Sequence, residues 1–161
     1  MGSYTESSSI KWSGHLRVRG EELAAVRQGG LGIGDDELYE FAEVIKGPGG
    51  VPRWRDHLKL APKSPLGLRE LDVGQNRVGD AGVAELAAAF ESTNVYLRVL
   101  KLHKNLLTDT GAHTVARLLE SAFGELAELH LSHNLLRPAS ADILLDAAAR
   151  RPEYPVGGFH K

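Results

Sequence analysis

The sequence predicts an α/β solenoid, a stack of short strand–helix coils, and three observations point to it. A nine-residue segment returns twice at a constant step of 29 residues, asparagine recurs at one position of that step, and an apolar helical stripe follows each return. A single strand–helix unit cannot bury its apolar side alone, whereas stacked units can.

The strand element comes first. Leu-Arg-Glu-Leu-Asp-Val-Gly-Gln-Asn from Leu68 returns as Leu-Arg-Val-Leu-Lys-Leu-His-Lys-Asn from Leu97 and as Leu-Ala-Glu-Leu-His-Leu-Ser-His-Asn from Leu126. Leu71, Leu100 and Leu129 share one column, Val73, Leu102 and Leu131 a second, and Val78, Leu107 and Leu136 a third. Leu71 and Val73 alternate with Asp72, as in a strand that points every second side chain inward. Of the four asparagines, Asn76, Asn105 and Asn134 stand in one column. An amide there donates and accepts, and so can satisfy backbone groups of adjacent coils at a buried bend.

A helix follows each asparagine. Asp80 and Asp109 suit an N-cap and Pro138 a first helical turn. Val83, Leu86, Ala87 and Phe90 lie at i, i+3, i+4 and i+7, one apolar stripe. Ala112, Val115, Ala116 and Leu119 repeat it, and Ala141, Leu144, Leu145 and Ala148 repeat it again.

The pattern Leu-x-x-Leu-x-Leu-x-x-Asn-x-Leu-x-Asp-x-Gly-x-x-x-Leu closely resembles the ribonuclease-inhibitor-like subfamily of leucine-rich repeats. Asp80, Gly82 and Leu86 complete the match in one repeat, and Asp109, Gly111 and Val115 in the next; Pro138 and Ser140 depart from it in the last. The resemblance covers residues 68–150 and implies a horseshoe, with parallel strands on its concave face and helices on its convex face.

Upstream, residues 33–45 echo residues 78–90, with Leu38, Phe41, Ala42 and Ile45 as the helix stripe. Leu23 and Val26 stand in leucine columns, and Leu31 where asparagine belongs. This reads as a degenerate first repeat over 23–67. Residues 1–22 read as a tail with a capping hairpin, two strands within 10–19 around Ser13-Gly14. Three 29-residue repeats fill 68–154, and 155–161 read as a tail or the start of a further repeat, a coil over the last repeat or the cut end of a longer chain.

The offset from Ile33 to Val78 is 45 residues, 16 more than one period, and the excess lies in 46–67. This segment holds four of seven prolines, and reads as a long loop with a short extended piece near 57–60. It is basic, with Lys46, Arg53, Arg55, Lys59 and Lys63 against Asp56. Trp54 among arginines suits either a core plug or a contact with a partner.

Composition narrows the classes further. With 42% hydrophobic and 25% charged residues the chain is of ordinary globular make-up. A formal charge of -2 gives no general reason to expect nucleic acid or an anionic membrane. Cysteine is absent, no apolar run approaches the ~18 residues of a spanning helix, and the first residues lack the apolar core of a secretory signal. An intracellular, cytoplasmic location is the simplest expectation.

The sequence carries none of the common catalytic signatures. Gly29-Gly-Leu-Gly-Ile-Gly34 lacks the following Lys-Ser/Thr of a phosphate loop, and there is no Gly-x-Ser-x-Gly, no His-Glu-x-x-His and no cysteine nucleophile. Outward strand positions are Glu70, Asp72 and Gly74, then Val99, Lys101 and His103, then Glu128, His130 and Ser132, with Gln75, Lys104 and His133 just beyond. Strands ~4.8 Å apart would bring His103 near His130. With His133 they have the ligand type for zinc, but histidines on a binding face need no metal, and neither metal nor cofactor is expected. A pH-sensitive contact is a further use for them. Glu70 and Glu128, ~10 Å apart by strand spacing, are too distant for a coupled acid/base pair.

The expected function is therefore a non-enzymatic scaffold or assembly subunit that binds protein. Its candidate contacts are Glu70, Asp72, Lys101, His103, Glu128, His130 and His133, with Arg53, Trp54 and Arg55 of the basic segment. The alternative implied by the resemblance is a regulator of another enzyme, a small-GTPase activator or an enzyme inhibitor.

Overall fold

A computed structural model of the chain describes Trp12 and residues 16–121 and 126–151. In chain order the elements are β1 (Val18–Arg19), β2 (Glu22–Leu23), β3 (Val26–Arg27), α1 (Asp35–Lys46), α2 (Val51–His57), β4 (Leu66–Asp72), α3 (Asp80–Thr93), β5 (Val95–Lys101), α4 (Asp109–Glu120), β6 (Glu128–His130) and α5 (Pro138–Ala149). The strands form one sheet in the order β1-β2-β4-β5-β6, with β3 also paired to β4.

The 29-residue step becomes parallel pairing. Leu68 lies opposite Leu97, Leu71 opposite Leu100, and Leu100 opposite Leu129. The weaker upstream columns hold too, since Leu23 pairs with Leu68 and Val26 with Leu71. The core lies between sheet and helices, where Leu71, Val73, Val78, Leu86, Leu100, Leu102 and Leu107 are wholly buried. The helices pack in series, α1 on α3, α3 on α4 and α4 on α5. Trp12 closes the first coil against Phe41, ring centroids 4.6 Å apart.

Asparagine does the bridging its chemistry allows. The Asn76 Oδ1 accepts from the backbone N–H groups of Leu31 and Ile33, while its Nδ2 donates to the carbonyls of Gln28, Val73 and Gly74. Asn105 accepts from Val78 and donates to Val73 and Leu102; Asn134 accepts from Leu107 and donates to Leu102 and Leu131. Each amide thus joins its own coil to the preceding one. The residue before each asparagine, Gln75, Lys104 or His133, is in the left-handed region at φ 57°, 53° and 58°, and the first coil puts Gly30 at that place.

Three expectations need correction. The segment 46–67 is no uninterrupted loop, because Val51–His57 is helical: Pro52 sits in the first turn, where its missing N–H costs nothing. A hairpin is formed by β1–β2, turning at Gly20 with φ 69°; the expected turn at Ser13-Gly14 lies outside the described residues. Asp80 and Asp109 are the first helical residues rather than caps, since Gly79 and Thr108 hold the cap positions. Their carboxylates reach forward instead. Asp80 accepts from Thr108 N–H, 2.9 Å, and Gly111 N–H, 2.9 Å; Asp109 accepts from Arg137 N–H and from the Ser140 hydroxyl. Asp35 does the same to Gly79 N–H.

This explains the Asp-x-Gly signature. A Cβ on Gly111 would stand 2.4 Å from Asp80 Oδ1, and one on Gly82 2.5 Å from Asp35 Oδ1. Third, the inward side of α5 is Ser140, Ile143, Leu144 and Ala147, while Ala141 and Leu145 are exposed. Serine keeps the glycine column usable there because its hydroxyl itself meets Asp109. The tail 155–161 lies outside the described residues.

Candidate functional site

Four neighbouring strands bring the outward side chains into rows. Arg27, Asp72, Lys101 and His130 are successive partners across β3, β4, β5 and β6, and Glu70, Val99 and Glu128 form the row before them. Charge alternates from Arg27 through Asp72 to Lys101.

Glu70 does not stand free. Its side chain is only 8% exposed, with Arg27 Nη2 at 2.5 Å and Lys101 Nζ at 2.7 Å. The Arg27 hydrogen bond first, and then Lys101, hold its carboxyl below the ordinary carboxylate range, against the opposing effect of burial. Lys101 is raised in turn, chiefly by its bond to Glu70. Asp72 lies 3.9 Å from Lys101 Nζ and accepts from Gly74 N–H. Glu70 therefore ties three coils together, and the groups offered outward are Arg27, Lys101 and their neighbours.

His103 and His130 do meet, ring centroids 6.4 Å apart and tilted by 56°. Their environments differ. His130 is exposed, with Nε2 3.4 Å from Glu128 Oε2. His103 lies over the backbone of the preceding coil at Gly74, where a Cβ would come within 2.2 Å of the ring. Its Nδ1 is buried without a hydrogen-bond partner. Glycine at 74 is thus what seats the ring. His133 occupies the left-handed turn beyond the strand, and no ring contact joins it to the other two among the described residues. No group of three or more His, Cys, Asp or Glu among the described residues could hold a metal ion.

In α2 the three candidates separate. Arg55 is buried: its Nε donates to Ser64 O at 2.8 Å and its Nη2 to Thr93 O, so it fastens α2 to the end of α3. Trp54 packs against the core beside His57, as a plug would, though its indole N–H is buried without a partner. Arg53 is exposed, its guanidinium 5.2 Å from the centre of the Trp54 ring.

Sequence reasoning passed over Arg27, Glu22, Arg69 and Arg98. Glu22 accepts from Arg69 Nη2 at 2.7 Å and from Arg98 Nε at 3.1 Å. A signal existed, since Arg69 and Arg98 are 29 residues apart and so fall in one column.

The architecture is mixed α/β with parallel strands and helices, compatible with a leucine-rich-repeat fold. A family model described as Leucine Rich repeat matches residues 68–87, from β4 through the first half of α3, and supports a leucine-rich-repeat protein. No curated protein matches the chain. A leucine-rich repeat is generally a module for protein–protein interaction without catalysis of its own. No helix among the described residues is long and apolar enough to cross a membrane.

Proposed function

We propose that this chain is a scaffold or assembly subunit, a short solenoid that holds a partner protein against the outward side of its sheet. One observation carries the reading: Asp72, Lys101 and His130 are direct neighbours on three strands, flanked by Val99 and Glu128. Side chains fixed on paired strands lose little further entropy when a partner docks. Their mixed charge suits a polar protein surface more than a phosphate backbone.

The test is affinity purification with mass spectrometry, comparing the native chain with a Lys101→Ala, Glu128→Ala, His130→Ala variant. Circular dichroism verifies that the variant folds. Partners retained by the native chain and lost by the variant support the reading; an unchanged set would remove this face from contention. Arg53→Ala, in the same experiment, separates a contribution of the α2 surface from that of the sheet.

A further inference from the structure

Toward the beginnings of β4 and β5 an open groove of about 600 Å³ runs between the β1–β2 hairpin and the linker after α2. Leu68 pairs with Leu97, so Arg69 and Arg98, next along each strand, stand side by side at strand spacing, ~4.8 Å. Neighbouring guanidiniums repel one another, and Glu22 answers this by accepting from both. Glu22 is 15% exposed, while Arg69 and Arg98 remain 49% and 50% exposed beside the groove. Arg19, the strand partner of Glu22, lines it as well. Three arginines against Glu21 and Glu22 leave the lining one positive charge in excess. The remaining wall is apolar: Leu58 and Leu60, with the Tyr96 ring seated where Gly67 has no Cβ.

We infer that this groove is a second binding site, for an acidic peptide segment carrying a carboxylate next to an apolar side chain. A guanidinium fork is the natural partner of a carboxylate, and Arg69 engages Glu22 through only one of its five N–H groups. Glu22 itself shows that a carboxylate fits between the two arginines. The apolar wall gives the neighbouring side chain a place to leave water. A nucleic-acid strand is a poorer occupant, because Glu21 and Glu22 line the same groove. The site stands independently of the outward rows around Lys101 and His130, and either reading can fail without the other.

The test is NMR titration of the isotope-labelled chain with a short, end-blocked peptide alternating glutamate and leucine. Perturbations are expected at the amides of Gly20 and Glu22 and at the Nε–H signals of Arg69 and Arg98. Arg69→Gln and Arg98→Gln each weaken binding roughly tenfold, as loss of a charged hydrogen bond implies, and Arg69→Lys less so. Both arginines are half exposed, so these variants keep the fold, which their unperturbed spectra verify. The proposal is overturned if the groove signals stay still or if perturbation centres on Lys101 and His130. Equal binding of a lysine–leucine peptide, insensitivity to both glutamine variants, or stronger binding of a short single-stranded RNA would overturn it equally.

Discussion

The coil that begins at Leu97 and the one that begins at Leu126 carry nearly the same repeat, yet they are packed differently. Leu100, Leu102 and Leu107 are wholly buried, whereas their counterparts Leu129, Leu131 and Leu136 are only half-buried. Ala116 is buried on α4, and Leu145, its counterpart on α5, is 60% exposed. The difference is position in the stack. The earlier coil has a neighbour on each side, while among the described residues no strand pairs with the far edge of β6. A column in the repeat therefore fixes a side chain's direction, and the neighbouring coil decides what that direction is worth.

The contrast predicts unequal penalties for equal substitutions. Leu100→Ala is expected to cost about 3–4 kcal/mol of unfolding free energy and Leu129→Ala about 1–2, measured by urea denaturation. Equal losses would mean that the last coil is as well covered as the middle one. Next in size is the asparagine column. Asn105→Ala strips partners from Val78 N–H and from the Val73 and Leu102 carbonyls, at about 2–3 kcal/mol, and Asn134→Ala costs about 1 because its site is partly open to water. The Asp-x-Gly contact gives a third pair. Gly111→Ala forces Asp80 from its bonds and costs about 1–3 kcal/mol, while Ser140→Ala in the same column loses one hydroxyl bond at about 1.

The smallest effect is on the acid side of the stability profile. The Glu70 carboxyl titrates below its unfolded value when folded, so its contribution is fully present above the ordinary carboxylate range and is lost as pH falls through the folded value. Glu70→Gln is expected to flatten that limb of the acid-unfolding curve. An acid-unfolding curve for Glu70→Gln that parallels the native one would remove this contribution.

The sheet and its register were legible because leucine and asparagine recur at a fixed step, and a strand's period leaves little freedom once its columns are set. The helix α2 was not, since proline and glycine also mark loops, and Pro52 counts as a helix start only once the turn is seen around it. Asp80 and Asp109 read as caps because an aspartate near a helix start has two partners within reach, and sequence does not say which coil supplies the N–H. The outward positions followed from alternation, but their covering did not. Arg27 reaches Glu70 across 43 residues, neither the 29-residue period nor the 45-residue offset of the first coil, so no repeat column pairs them. The arginines of the groove lay in register all along, and only the hairpin's Glu22 revealed their convergence.

The amide and carboxylate columns act in opposite directions: each asparagine reaches back one coil and each helix-leading aspartate reaches forward one. Every junction is consequently latched from both sides by residues that belong to the period itself. Such a chain is modular in the builder's sense. Duplicating one whole 29-residue unit between Leu97 and Leu126 would carry both latches with it, and the protein could grow longer without any other residue being redrawn.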